Sequence, residues 1–250
     1  TAYLWHNYGK DTIGARSDVE NVDINRLRAF YQRYYQPDNA VLVIAGRFDE
    51  ARAKQWVSQY FGALPKPTRK LPAIYTQEPQ QDGEREITLR RAGDTQLLGA
   101  LYHVPDGAHP DTAALALLQH VLGGTPNGRL HQQLVEAKLA SEISALHYAL
   151  YDPGFLMFTA KASGDSDAAA LRKVLLQVLE GIATQPITEQ ELNTARAAWL
   201  NQFDKIIADP ATLSLNLSDY MARGDWRLFY LERDRIEALQ VADLQRVAQT

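Results

Sequence analysis

The chain of 250 residues contains no cysteine. This absence excludes disulfides, thiolate metal sites and a cysteine nucleophile. It does not fix the compartment, because chains without cysteine occur in reducing and in oxidising surroundings. The formal net charge of −4 provides no basic excess to attract nucleic acid or an anionic membrane surface. No apolar run approaches the roughly 18–20 residues of a transmembrane helix, so we expect no membrane span.

The sequence also lacks the common catalytic motifs. It contains no G-x-S-x-G elbow for acyl transfer, and its glycine-rich segment GGTPNGR lacks the G-K-[ST] of a phosphate-binding loop. The six histidines include no pair at i, i+4, which excludes zinc motifs of the H-E-x-x-H and H-x-x-E-H types. His120 and His131 fall on neighbouring predicted helices, so a metal site between helices stays open. A histidine packed or exposed on a helix is the simpler interpretation of each.

Both ends of the chain lack the usual signals. The start, TAYLWHNYGK, has neither an initiator methionine nor the basic and apolar regions of a signal peptide. The end, DLQRVAQT, lies inside a helical pattern with no glycine, asparagine or proline stop signal. We therefore expect an excised section of a longer protein.

The first 62 residues predict two helices around one strand. A helix capped by Asp23 ends before Pro37, and a second helix runs from the cap Asp49 to Gly62. Between them, NAVLVIAGRF predicts a buried strand that ends at Gly46. The following residues 63–84 contain four prolines and no sustained period, which indicates a linker.

The remaining residues predict an α+β fold with an antiparallel or mixed sheet covered by helices on one face. Alternation predicts strands over 85–92 and 94–105, with the turn at Gly93-Asp94. Asp165 or Asp167 caps a later helix, and Thr188 to Glu191 form a capping box. The other predicted elements are helices over 110–122 and 129–138, a hairpin over 140–163 that turns at 152–154, and three helices over 211–224, 226–239 and 241–250.

Several of these segments, in order, resemble the pitrilysin/insulinase family of zinc peptidases. The segments HNYGKDTIG (6–14), LRAFYQRYYQPDNAVLVIAGRFD (27–49) and YFGALPKP (60–67) are similar to family landmarks that follow the zinc ligands. HPDTAALALLQHVLGG (109–124) resembles the opening of the second, homologous domain, and ITEQELNTAR and IEALQVADLQRVAQ match later landmarks. The resemblance implies a repeated-domain zinc-peptidase-like architecture of the LuxS and processing-peptidase type.

The resemblance also implies that ALALLQHVLGG (114–124) corresponds to the helix that carries the zinc motif in the active domain. In the active domain, the corresponding helix carries H-x-x-E-H. Here Ala116, Gln119 and His120 stand at the first histidine, the glutamate and the second histidine. Alanine cannot bind zinc, a neutral amide is no base near pH 7, and one imidazole falls short of the three protein ligands of a catalytic zinc. We therefore expect a degenerate motif with no catalytic and no metal residues in this chain.

The second departure concerns substrate binding. In the family, a segment like LREK..LaY offers an arginine and a tyrosine to the substrate. The corresponding segment here, LVEAKLAS, is one residue shorter and places Val135 at the arginine and Ser141 at the tyrosine. The resemblance therefore implies that this copy does not grip substrate through those two side chains.

These expectations define a domain organisation and a function. Residues 1–63 are the C-terminal part of a first, catalytic-type domain without its zinc motif, residues 64–84 a linker, and residues 85–250 a second, non-catalytic domain. The function is that of a non-catalytic section of a zinc metalloendopeptidase, which supports the upstream active domain and lines its chamber. The alternative is a stand-alone inactive scaffold or a processing-peptidase-type partner subunit.

The implied cofactor and partners follow from that function. Zinc belongs to the upstream domain of the parent protein, and this chain carries none. The partners are peptide substrates and other domains of the same protein, with no nucleic acid. The chain alone exposes apolar surface and is able to dimerise. A bacterial periplasm or cytoplasm is the expected compartment, and neither is favoured.

Overall fold

The computed structural model describes residues 2–164 and 167–250. The chain divides into two compact units, of which the first ends at Arg91 and the second runs from Ala92 to Thr250. Across the described residues, no helix combines the length and the apolar character needed to cross a membrane. The predicted α+β class with an antiparallel sheet covered by helices is confirmed.

The helices of the first unit follow the local capping signals. They are α1 (Arg16–Asn21), α2 (Ile24–Tyr34) and α3 (Glu50–Phe61). The side chains of Asp23 and Asp49 accept hydrogen bonds from the first-turn backbone of α2 and α3, as predicted. Gly62 ends α3. The short helix α1 was not predicted, because it has no capping side chain to mark its start.

The two strands predicted before residue 93 are wrong. The segments 39–48 and 85–92 contain no strand in the described structure. Their apolar side chains are exposed: Leu42 at 57% and Leu89 at 78%. A strand needs a neighbour to pair its backbone N–H and C=O groups, and no described residue of either segment enters a ladder. The apolar run over 39–48 and the alternation over 85–92 were therefore correct about apolar character but not about strand pairing.

The predicted linker 63–84 lacks helices and strands, yet polar contacts within the first unit fix it. The carboxylate of Glu78 accepts hydrogen bonds from the backbone N–H groups of Leu4, Trp5 and His6 at 2.8–3.0 Å. Desolvation opposes ionisation of Glu78, but these three donors and the positive charge of Arg85 outweigh it and lower its pKa to about 2. The carboxylate is therefore the charged anchor of an otherwise irregular segment.

The sheet of the second unit has three antiparallel strands in the order β1-β3-β2. Every second residue along most of β3 is buried, so one face of this strand lies in the core, where Phe158 is 1% exposed. The opposite face stays open along much of its length, with Leu146 at 40% exposed. The strands are β1 (Leu97–His103), β2 (Ala140–Tyr148) and β3 (Phe155–Ala162). The predicted hairpin is confirmed, and β1 is the shorter version of the strand predicted over 94–105.

Helices cover the buried face of the sheet. The central one, α4 (Thr112–Gly123), packs on β2 and contacts three of the later helices. The helix predicted over 129–138 is shorter and contains a π turn at His131–Val135. Asp167 caps α5, and the alternative cap Asp165 lies outside the described residues. The later helices are α5 (Ala168–Glu180), α6 (Glu189–Ala208), α7 (Pro210–Ala222), α8 (Leu228–Ala238) and α9 (Val241–Gln249).

Arg129 joins the start of the π-turn segment to the start of α6. Its guanidinium donates to both carboxylate oxygens of Glu191, at 2.6 and 2.9 Å. It also donates to the backbone carbonyls of Gln185 and Pro186 at 2.7 and 3.0 Å. Glu191 closes the capping box with Thr188, which confirms the predicted box. The Arg129 side chain thus donates hydrogen bonds both to the start of α6 and to the loop before it.

We predict that Arg129→Met destabilises the second unit by about 2 kcal/mol, because hydrogen bonds to charged groups contribute about 1.5–3 kcal/mol. Arg129→Lys keeps the charge but not the paired donors, so its loss should be smaller. Equilibrium urea unfolding followed by circular dichroism measures both. The control is Lys173→Met on the exposed side of α5, which should change stability by less than about 0.5 kcal/mol. Equal losses for Arg129→Met and the control would contradict this role.

Candidate functional site

The three positions expected to form a degenerate motif lie in the middle of α4, the most buried of the described helices. Ala116, Gln119 and His120 are spaced i, i+3 and i+4, so they occupy one side of the helix. Ala116 is 8% exposed and belongs to the main hydrophobic core. The position that the resemblance would align with the first histidine therefore holds a methyl group packed among apolar neighbours.

The side chain of Gln119 links α4 to the sheet. Its amide Nε2 donates a hydrogen bond to the backbone carbonyl of Ala145 on β2, at 2.9 Å. A carboxylate at this position could not make that bond, because it has no proton to donate near pH 7. Gln119, which the resemblance would align with the glutamate of the motif, thus fastens the helix to the sheet and has no basic group to offer to water.

His120 is the one member of the motif that could bind a metal. It is half-buried, and burial lowers its pKa below the usual 6.5. His131 lies in the π turn and is also half-buried. The described residues contain no group of three or more histidine, aspartate or glutamate side chains placed to hold a metal ion. The donor set at this helix therefore does not fit a catalytic zinc, which needs three protein ligands.

The two positions expected to correspond to the substrate-binding pair have different surroundings. Val135 ends the π turn and packs against the main core. Ser141 is exposed at an irregularity in the pairing of β2 with β3, and its hydroxyl lies 3.4 Å from the carbonyl oxygen of Lys161. Neither side chain carries the charge or the aromatic ring of the family pair, and Val135 contributes to the packing of the core.

Sequence reasoning missed a polar cluster elsewhere in the second unit. Tyr220 on α7 and Glu232 on α8 are both buried and hydrogen-bonded to each other at 2.6 Å. Both residues lie in segments whose sequence pattern predicts a helix and nothing more. The sequence offers no signal for the contact, because it depends on how the two helices meet.

Comparison with known proteins identifies the family. The family described as the peptidase M16 inactive domain matches residues 21–198, which is more than half of the chain. The zinc protease PqqE of Helicobacter pylori is 28% identical over 251 residues, covering 99% of this chain and 56% of that protein. The uncharacterized zinc protease YmxG of Bacillus subtilis is 24% identical over 192 residues, covering 76% of this chain and 46% of that protein. The chain thus spans about half the length of the curated relatives it matches.

Solved structures agree in fold. The crystal structure of a protease from Helicobacter pylori superposes with a TM-score of 0.93 at 27% identity, covering 100% of this chain and 61% of that one. The peptidase M16 inactive domain from Pseudomonas fluorescens gives a TM-score of 0.82 at 20% identity, covering 98% of this chain and 58% of that one. The resemblance to the pitrilysin/insulinase peptidases is confirmed. With a sequence match over residues 21–198, the chain belongs to the peptidase M16 family, as an inactive domain of zinc protease-like proteins.

Proposed function

We propose that this section supports a zinc-binding catalytic domain in the same protein and lines the chamber in which that domain cleaves peptides. The observation that carries the proposal is the state of α4, where Ala116 is core and Gln119 is bound to Ala145. A helix committed to packing in this way suits a supporting role. The parent reaction would be metal-assisted hydrolysis, with the zinc held by residues of the other domain.

The proposed organisation assigns residues 1–63 to the end of a catalytic-type domain, 64–84 to a linker and 85–250 to the non-catalytic domain. The exposed apolar segment 40–46 supports the first assignment, because such a segment suits a strand whose partners belong to the rest of a larger sheet. The open face of the β1-β3-β2 sheet offers a second apolar surface for neighbouring domains.

A stand-alone inactive scaffold, or a partner subunit of the processing-peptidase type, is the alternative. The same degenerate helix fits both functions, so α4 does not separate them. The discriminating feature is the rest of the protein. An H-x-x-E-H motif with a downstream glutamate there supports the first proposal, and a degraded motif supports the scaffold.

We predict that the purified chain, supplemented with zinc and then dialysed, retains no stoichiometric zinc and cleaves no peptide in a chelator-sensitive manner. Elemental analysis and a fluorogenic peptide assay measure the two properties. His120→Ala is the matched control and should behave like the parent chain. One zinc per chain that is lost in His120→Ala would contradict the proposal and assign a metal site to His120.

We predict that restoring the motif does not restore the site. The double variant Ala116→His/Gln119→Glu writes H-x-x-E-H into α4. It should be less stable by about 2–4 kcal/mol, since the imidazole overpacks the core and the donor to Ala145 is lost. Zinc content should stay well below one per chain because the third ligand is missing. Urea unfolding and elemental analysis check both, with the exposed Gln133→His as the control for an added imidazole. Full zinc loading without loss of stability would refute the packing argument.

The chamber-lining role is tested in the whole protein. A peptide substrate that carries a benzophenone group should crosslink on illumination to residues within 92–250, and unlabelled peptide should compete. Mass spectrometry of the digested protein locates the crosslink. A matched peptide with a scrambled sequence gives the background. Competed crosslinks confined to the rest of the protein would show that this section supports the active domain without lining its chamber.

A further inference from the structure

The chain passes from the first unit to the second through residues 87–95, and the boundary falls between Arg91 and Ala92. These residues contain neither helix nor strand, and all of them are exposed. Among the described residues, those from 87 to 95 form no hydrogen bond, ion pair or ring contact. This stretch, which we call the connector, therefore lacks the polar contacts that fix its neighbours.

The chain is held on both sides of the connector. Before it, Nη1 of Arg85 lies 3.9 Å from Oε1 of Glu78, the carboxylate that anchors residues 4–6. After it, the carbonyl of Gln96 accepts a hydrogen bond from the backbone N–H of Ala162 at 2.9 Å, and β1 begins one residue later. The connector is thus an unanchored stretch between two anchored ones.

Two adjacent arginines lie inside the connector. Arg90 and Arg91 are exposed, and no described carboxylate pairs with either guanidinium. Gly93 follows with a φ of +151°, and no atom lies within 4 Å of the position that a Cβ would take there. Proteases cut folded chains at exposed segments whose backbone is not hydrogen-bonded, because the segment must fit the enzyme in an extended form. The connector meets both conditions.

The proline-rich segment 63–84 is less suited to cleavage. Arg69 donates hydrogen bonds from its two terminal nitrogens to the carboxylate of Asp38, at 2.9 and 3.0 Å. Lys70 follows directly after this ion pair, and Lys66 precedes Pro67. A proline after the cut bond hinders cleavage, because its ring fixes φ and removes the amide hydrogen. Composition points to 63–84 as the vulnerable link, whereas the contacts point to the connector.

We propose that Arg90–Arg91 is a processing site at which an arginine-specific endopeptidase cuts the folded chain. Endopeptidases of the trypsin type bind the basic side chain before the cut bond with a carboxylate in their specificity pocket. Water adds to the carbonyl carbon of Arg91, and the bond from that carbon to the nitrogen of Ala92 breaks. The products carry a carboxylate on Arg91 and an amino group on Ala92, so water is the only co-reactant.

The second unit keeps its core after such a cut. The hydrophobic residues of the main core lie between Leu98 and Ala248, and all three strands follow the cut bond. The hydrogen bond from Ala162 to Gln96 also lies within the product. Residues 92–250 should therefore remain as a folded fragment that resists further cleavage.

The cut would detach the section that supports the catalytic domain in the parent protein. This consequence rests on the proposed function, whereas the cut itself rests on the connector alone. Processing at Arg90–Arg91 would then be an irreversible off switch for the parent peptidase.

The test is limited proteolysis of the 250-residue chain with a small amount of trypsin, which cuts after arginine and lysine. Intact-mass spectrometry and N-terminal sequencing follow the products over time. The first large product should begin at Arg91 or Ala92, should persist, and should keep its helical circular dichroism. A first cut anywhere outside the connector would overturn the proposal.

A double substitution and a matched control isolate the two arginines. Arg90→Gln/Arg91→Gln removes both recognised side chains and no described contact, so it should slow the loss of intact chain by about tenfold, because other sites must first open. Arg26→Gln/Arg28→Gln removes two exposed arginines from α2 and should be cut at the parent rate. Equal rates for the parent and the connector variant would contradict the assignment.

The whole protein separates this proposal from the proposed function. The same treatment should cut it at Arg90–Arg91 and abolish hydrolysis of a fluorogenic peptide, and the connector variant should keep both the intact chain and the activity. Resistance of the whole protein at Arg90–Arg91 would overturn the processing site, because another part of the protein would cover it. A cut that leaves hydrolysis unchanged would support the processing site and contradict the supporting role.

Discussion

The close approach of α4 to the sheet is the constraint on which the second unit depends. At Gly123 an added methyl group would come within 2.2 Å of the Cβ of Ala145 and 3.4 Å of the ring of Phe158. Glycine at this point lets the helix lie directly on β2 and β3. The leucines of α4, such as Leu117 at 0% exposed, then enter the core, where each contributes about 1.5–3 kcal/mol relative to an exposed position. Helices α6, α8 and α9 pack on the same helix, so its position fixes theirs.

That constraint explains the chemistry that α4 lacks. A helix that carries a catalytic zinc must keep one side open for the metal, for water and for substrate. In this chain that side holds Ala116, which is buried, and Gln119, whose side-chain amide donates a hydrogen bond to the carbonyl of Ala145. Gln119 fastens the helix to the sheet, and Ala116 packs in the main core.

Local signals predicted the helices well, because a cap acts within one turn. Asp23, Asp49 and the Thr188–Glu191 box mark helix starts in the sequence and in the structure. The strand predictions over 39–48 and 85–92 failed because an apolar run or an alternating pattern shows which side chains are apolar and not whether a partner strand is present. For the site, spacing placed three residues on one side of α4. The bond from Gln119 to β2 and the contact of Tyr220 with Glu232 depend on tertiary packing, which no local pattern encodes.

Each of the two units is stabilised internally by a different kind of interaction. The second unit has a continuous apolar core, whereas the described side chains of the first unit include two buried ones, Tyr3 and His6. Both lie in or beside the run of backbone that donates to Glu78. Hydrogen bonds to a charged group contribute about 1.5–3 kcal/mol each, so one carboxylate with three donors can order an extended segment that has no sheet to join. A polar anchor of this kind fixes the path of the chain and leaves its apolar side chains uncovered, which is the condition that a surface for another domain requires.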